Sequence, residues 1–339
     1  MRRKKRSLEK LFFPISKSDD WVFCEEEPHT SYFEDLRAFG FIPGKYCNFI
    51  PDFERLVTWG DLETPIEGSF QIDPSLKERS SRWNSKLNQA EWKMELGELP
   101  FFPSVIRSLE ALEDSFEELK FPFVLKANYG FAGRNQIIVQ SQKEAWKLQD
   151  ISRKLGGFPL LLESWKSKRK MDFSTLWEGE KYLTTSRMFL DEKGIFKCIQ
   201  IGPEEGNKPW TMMSKRVMSQ LRSKYEFLGD GPIAIDGFMY EEEDEVLVQP
   251  FSEMNFRWSI GRLLWEIRQS RGAQFAFIAF VNNPSYLLEE KEQIAKDWKI
   301  NLCPITPICD SKGKLYDSVA MYGESNSNTL YFIHGIGLR

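Results

Sequence analysis

The chain has 339 residues, 41% hydrophobic and 14% aromatic, which is enough apolar material for two or three packed units. Its 46 basic residues against 50 acidic ones give a formal net charge of -4, which excludes a global electrostatic attraction to nucleic acid or to an anionic membrane. Two histidines and five scattered cysteines, none in a C-x-x-C pair, leave almost no material for a histidine triad, a zinc knuckle or a disulfide framework.

The basic block from Arg2 to Arg6 reads as a solvated terminus. The apolar run after it, Leu11 to Ile15, is short and contains Pro14, so it is not expected to act as an export signal. No window approaches the roughly 18 apolar residues of a membrane-spanning helix, and the expected location is the cytoplasm. A strand over Trp21 to Cys24 and a helix from Tyr32 to Phe39, ending at Gly40, suggest a small α/β unit before a boundary near residue 80.

Beyond that boundary the pattern becomes regular. Helices are expected over Lys86 to Leu96, closed by Gly97, and over Leu109 to Leu119, followed by a strand Phe123 to Lys126. The turn Asn128 to Arg134 carries Gly130 and Gly133 and leads to a second strand, Gln136 to Val139. Ser141 and Glu144 fit a capping box for a helix to Leu155, with Gly156 and Gly157 past its end. Strands are then expected over Phe158 to Leu162, near Asp172 to Ser174, into Ile235-Asp236-Gly237 and into Glu253, with a hairpin at Asp191 to Gly194 and a solvated acidic turn at Glu241 to Glu245. The tail adds strands over Phe275 to Val281 and flanking Asp310 to Gly313, and a helix around Leu288 to Trp298.

Two stretches carry chemistry. In Glu253-Met254-Asn255-Phe256-Arg257 a carboxylate, an amide oxygen and a guanidinium stand at alternating positions, so one strand face offers two hard oxygens and an anion clamp. In isolation the run is equally a polar strand edge. Lys126 precedes the two glycines of its loop, an arrangement suited to a flap over phosphate, and equally to a hairpin with a surface lysine. It is not a Walker A loop, which needs the lysine after the glycines and a helix at the exit.

Taken together, the order Lys86, Gly97, Lys126 with Gly130 and Gly133, Glu163, Asp172, Asp236 and Glu253-x-Asn255-x-Arg257 resembles the ATP-grasp superfamily over roughly residues 80 to 265. The stretch Leu162 to Trp165 with Asp172-Phe173-Ser174 is similar to D-alanine:D-alanine ligases. Glu253-Met254-Asn255-x-Arg257 is similar to biotin-carboxylase-like members. The resemblance implies an α/β (α+β) ATP-grasp fold, two α+β subdomains gripping a nucleotide. Its parts would be an N-terminal domain over 1–80, a central and lid subdomain over 81–162, and a C-terminal subdomain with an extension over 163–339.

The resemblance further implies that Lys86 and Lys126 hold the α- and β-phosphates of ATP, with Lys93 an alternative to Lys86, and that Gly130 and Gly133 shape the lid. Glu163, Ser164 and Trp165 would form the adenine hinge, and Asp172 would accept from the ribose hydroxyls. Asp236, Glu253 and Asn255 would bind Mg2+, one or two ions with Mn2+ as a substitute. Arg257 and Lys126 are the implied catalytic residues. The similar ligases carry an arginine two positions before their first metal aspartate, where this chain has Ala234, so anion stabilisation falls to Arg257 or to Lys215-Arg216. The implied reaction activates a small carboxylate as an acyl phosphate and joins it to an amine. A non-catalytic nucleotide-binding module is the alternative. No nucleic-acid or membrane partner is expected, and homodimerisation stays open.

Overall fold

The computed structural model describes residues 9–24, 26–48, 81–97, 99–100, 103–115, 121–130, 135–145, 147–191, 194–203, 208–225, 231–282, 293, 296 and 300–325. In chain order the elements are β1 (Trp21–Phe23), α1 (Thr30–Ala38), β2 (Lys45–Cys47), α2 (Lys86–Leu96), β3 (Ser104–Ile106), α3 (Leu109–Ser115), β4 (Phe123–Ala127), β5 (Gln136–Val139), α4 (Gln142–Ala145), α5 (Leu148–Lys154) and β6 (Leu160–Ser164). They continue with β7 (Arg169–Glu178), β8 (Lys181–Leu190), β9 (Phe196–Ile201), α6 (Pro209–Lys224), β10 (Pro232–Glu242), β11 (Glu245–Asn255), α7 (Ile260–Arg271), β12 (Phe275–Asn282), β13 (Asn301–Pro304) and β14 (Ser318–Ser325). The chain divides into two compact units, one of residues 1–71, 197–203 and 258–339, the other of residues 72–196 and 204–257.

In the first unit β12 pairs antiparallel with β9 and β14, and β14 with β13. Tyr32 on α1 is buried and donates its hydroxyl proton to the backbone carbonyls of Lys10 and Ile305, both at 3.0 Å, which ties the helix to two distant segments. Helix α7 is framed by Ser259, whose hydroxyl accepts from the Arg262 amide, and by Gly272 in the left-handed region. All five cysteines are free thiols.

The second unit contains two antiparallel sheet regions. In the first, β3, β6, β4 and β5 lie side by side. Phe123, Leu125, Leu160 and Leu162 face a core completed by Leu112, Ile151 and Leu155, so the alternation of β4 and β6 turns Lys126 and Glu163 to the opposite face. In the second region β8 pairs with β7, β7 with β10, and β10 with β11. One face of it packs Ile233, Ile235, Phe251 and Met254 against Trp92 and Leu96 of α2 and Val217, Met218 and Leu221 of α6.

Helix α2 occupies its expected span because Ser85 caps its start, accepting from the Asn88 amide at 3.3 Å, and Gly97 closes it at φ 69°. Several expectations are corrected. The helix expected to run unbroken from Ser141 to Leu155 is two short helices, α4 and α5, and the Glu144 carboxylate accepts from the Gln140 amide at 2.9 Å, with the Glu144 amide donating to the Ser141 carbonyl. The strand through Asp236 does not stop at Gly237; it passes a bulge there and continues to Glu242, because a Cβ-free residue fits where the Phe173 ring and the Gln249 carbonyl press in. The acidic turn is ion-paired as well as solvated: Glu242 receives Lys166 at 2.6 Å and Glu241 receives Lys168 and Lys170. The strand pair expected around Asp310 to Gly313 lies further out, as antiparallel β13 and β14, with an isolated bridge, Cys309 with Leu315, next to the turn. The helix expected over 288–298 lies outside the described residues, apart from helical positions 293 and 296.

Candidate functional site

Helix α2 places Lys86, Gln89 and Lys93, at i, i+3 and i+7, on one face towards β11 and β6. Lys86 Nζ donates to Glu253 Oε1 at 2.8 Å. Gln89 locks the helix to the strand: its amide nitrogen donates to the Trp83 and Met254 carbonyls and its oxygen accepts from the Met254 amide, each at 2.8 Å. Lys93 Nζ donates to the Ser252 carbonyl at 2.5 Å and to Glu163 Oε1 at 3.2 Å. The other oxygen of Glu163 receives Lys126. The helix start is held by Asn128, just past β4, whose Oδ1 accepts from Ser85 Oγ at 2.8 Å and from the Leu87 amide at 3.2 Å.

Strand register builds the rest. Asp236 on β10 stands opposite Glu253 on β11 and opposite Ser174 on β7. Asn255 is the partner of Ala234, one pleat repeat away on the same face. Asn255 Nδ2 donates to Asp236 Oδ2 at 3.0 Å, and Asn255 Oδ1 accepts from Arg257 Nη2 at 2.9 Å. Ala234 is buried beside that amide, and Arg257 lies just past the end of β11.

Two carboxylates opposed across neighbouring strands repel. Burial first, and then the Glu253 charge, push the Asp236 carboxyl up to about 7. Burial acts the same way on Glu253, but Lys86 above all, with Lys126 and Arg257, outweighs it and holds that carboxyl below its ordinary range. Glu163 sinks to about 2: burial would raise it, and the ammonium groups of Lys126 and Lys93 overcome that. Desolvation lowers Lys93 despite Glu163.

Among the described residues no group of three or more His, Cys, Asp or Glu side chains is placed to hold a metal. The hard-oxygen set here is instead two carboxylates and an amide, Asp236, Glu253 and Asn255. Burial first, and then the Glu253 charge, raise the Asp236 carboxyl, and a bound divalent cation would favour its charged form, so the set fits Mg2+ or Mn2+.

On the hinge side, the Trp165 amide donates to the Pro122 carbonyl at 3.0 Å, while Ser164 is exposed and Glu163 buried. The Glu163 side chain thus belongs to the lysine cluster. Asp172 is buried and accepts from Arg169 Nη1 at 2.6 Å. Burial raises its carboxyl although Arg169 opposes this. Lys126 sits at the end of β4 with Gly130 in the following turn, and Gly133 lies outside the described residues. Lys215 lies 4.0 Å from the Tyr182 ring centroid on the helix α6 side of the sheet.

Sequence reading missed Gln89, Asn128 and Arg169, and it offered Lys93 only as a substitute for Lys86. The signal for Lys93 was the seven-residue step from Lys86, which puts both on one helix face. Gln89 and Asn128 act through groups of distant segments and leave no local pattern.

No protein-family model matches the chain, and neither does any curated protein. Solved structures do. N5-carboxyaminoimidazole synthetase from Staphylococcus aureus, complexed with ADP, is 13% identical with a TM-score of 0.55 over 78% of this chain and 72% of that one. Carboxyaminoimidazole ribonucleotide synthase from Aspergillus clavatus, complexed with ATP, is 15% identical with a TM-score of 0.55 over 76% and 74%. Phosphoribosylamine–glycine ligase from Thermotoga maritima is 13% identical with a TM-score of 0.52 over 77% of each chain. At such identities the shared property is architecture, an α+β arrangement found in nucleotide-using ligases. This chain has the ATP-grasp fold.

Proposed function

We propose that this protein is an ATP-dependent ligase that activates a small-molecule carboxylate as an acyl phosphate and joins it to an amine. The observation that carries the reading is the pairing of Asp236 with Glu253 across β10 and β11, with Asn255 beside them and Lys86 and Arg257 at their edges. Phosphoryl transfer asks a protein mainly for positioning and charge neutralisation, and these residues provide both without a histidine or a cysteine nucleophile. The solved relatives with ADP or ATP bound add support through their shared fold.

In this reading Asp236, Glu253 and Asn255 hold magnesium, which would neutralise charge between the terminal phosphates. Lys86, which contacts Glu253 in this structure, and Lys126 would bind phosphate oxygens. Arg257 steadies the transferred phosphoryl group. Gly130 and Gly133 shape the flap, the backbone of Glu163 to Trp165 meets the adenine, and Asp172 meets the ribose. Residues 1–80 precede the nucleotide site, 81–162 close over it and 163–339 carry the metal oxygens. Five free thiols suit a reducing compartment such as the cytoplasm, and among the described residues no helix is long and apolar enough to cross a membrane.

The test is incubation with Mg-ATP, hydroxylamine and pooled carboxylic acids, reading acyl hydroxamate and ADP together. Hydroxamate formed only when both ATP and a particular acid are present supports the ligase. Nucleotide binding with neither hydroxamate nor phosphate release from any pool points to a non-catalytic binding module.

A further inference from the structure

The guanidinium of Arg169 has an unusual setting. Its Cζ lies 3.9 Å from the centroid of the Phe238 ring and 4.6 Å from that of Trp165. Its Nη1 is anchored on Asp172 at 2.6 Å, whereas its Nε is buried and has no hydrogen-bond partner. The walls are firm. The Trp165 amide is tied to Pro122, and Gly194, at φ 71°, comes so close to the indole that an added Cβ would stand 2.8 Å from it. Phe238 is the cross-strand neighbour of Asp172, so ring, ring and carboxylate surround the guanidinium, with Asp172 and Phe238 on the sheet face that also carries Asp236.

A planar cation over aromatic faces uses the same surfaces that a planar nucleobase would use. Accepting the nucleotide site proposed above, on which this inference rests, we propose that Arg169 is the residue that sets nucleotide affinity, because its guanidinium occupies the stacking surface of Phe238 and Trp165 and the base must displace it. The exchange is coupled to the sugar. Moving Arg169 frees the Asp172 carboxylate from this ion pair and presents it to the ribose hydroxyls. A nucleotide therefore breaks one ion pair and two cation–ring contacts before stacking, whereas a bare phosphate chain breaks none of them. The unsatisfied Nε marks the guanidinium as a group not fully matched to this position.

The experiment is calorimetric titration of the full chain and of Arg169→Ala with Mg-ADP and, separately, with magnesium inorganic triphosphate. The expected result is ADP binding about tenfold tighter in the variant, the scale of a partly desolvated cation–ring contact plus an ion pair, with triphosphate affinity unchanged. If the alanine variant fails to fold, Arg169→Gln, which keeps a planar polar head without the charge, is read by the same criterion. ADP binding by the parent chain that is equal to or tighter than that of a folded variant overturns the role of Arg169 and leaves the nucleotide site standing. An absence of ADP binding in both folded proteins overturns the nucleotide site and this inference with it.

Discussion

Asp236 and Glu253 face each other across β10 and β11 and are held differently: Glu253 takes Lys86 at 2.8 Å, while Asp236 takes the neutral amide of Asn255 at 3.0 Å. The imbalance leaves Asp236 with the raised carboxyl, and a divalent cation would offset it. In a chain without metal, Asp236→Asn should therefore raise the melting temperature at pH 8 by a few degrees. The same variant should lose most of the stabilisation that Mg-ADP gives the parent chain. Differential scanning fluorimetry with and without Mg-ADP checks both halves.

Glu163 is buried between Lys126 and Lys93, and its folded carboxyl lies at about 2 against an ordinary value of 4.5. Its pKa is depressed, so its contribution is fully present above about 4.5 and fades as the pH falls towards 2. Glu163→Gln leaves two buried ammonium groups without a counter-charge and should cost about 3–5 kcal/mol at pH 7. Below pH 3 the gap between variant and parent should narrow, which urea titrations at the two pH values would reveal.

Lys93 and Lys126 share that carboxylate but should fail differently when replaced. Lys93 is 2% exposed and also binds the Ser252 carbonyl, so it joins α2 to β11 and β6. Lys93→Met should lower stability by about 2 kcal/mol or more, with a smaller effect on turnover of the remaining folded protein. Lys126→Met leaves Glu163 paired to Lys93; it should keep most of the melting temperature and abolish ADP formation. Melting curves set beside ADP release separate the two, and equal turnover in Lys126→Met and the parent would remove Lys126 from the chemistry.

Much of this site was legible in the sequence because its chemistry is local. The alternation in Glu253-x-Asn255-x-Arg257 and the Ser85 to Gly97 frame of α2 both follow from residues within a dozen positions of one another. What was not legible depends on pairing across the fold. Nothing near Glu163 shows that two lysines from α2 and β4 will enclose it, and nothing near Arg169 shows that Phe238, far along the chain, will lie beneath it. Register decides these contacts: β10 and β7 stay in step from Pro232 to Met239, which sets Phe238 opposite Asp172, while the irregularity at Gly237 belongs to the pairing of β10 with β11.

That bulge gives a fourth prediction. A Cβ at Gly237 would meet the Phe173 ring at 2.6 Å and the Gln249 carbonyl at 2.7 Å, and neither can retreat from a packed sheet. Gly237→Ala should cost about 1–3 kcal/mol through overpacking and shift the adjoining Asp236, so the Mg2+ concentration needed for half-maximal nucleotide binding should rise. Magnesium titrations at fixed ADP read the shift directly.

The most direct test of the metal and nucleotide site is electron paramagnetic resonance of Mn2+ titrated into the chain with ADP, compared with Glu253→Gln. The account predicts that free Mn2+ signal is lost stoichiometrically in the parent only when ADP is present, and that the variant leaves most of the ion free. Equal Mn2+ uptake by the two proteins, or none by either in the presence of ADP, would contradict it.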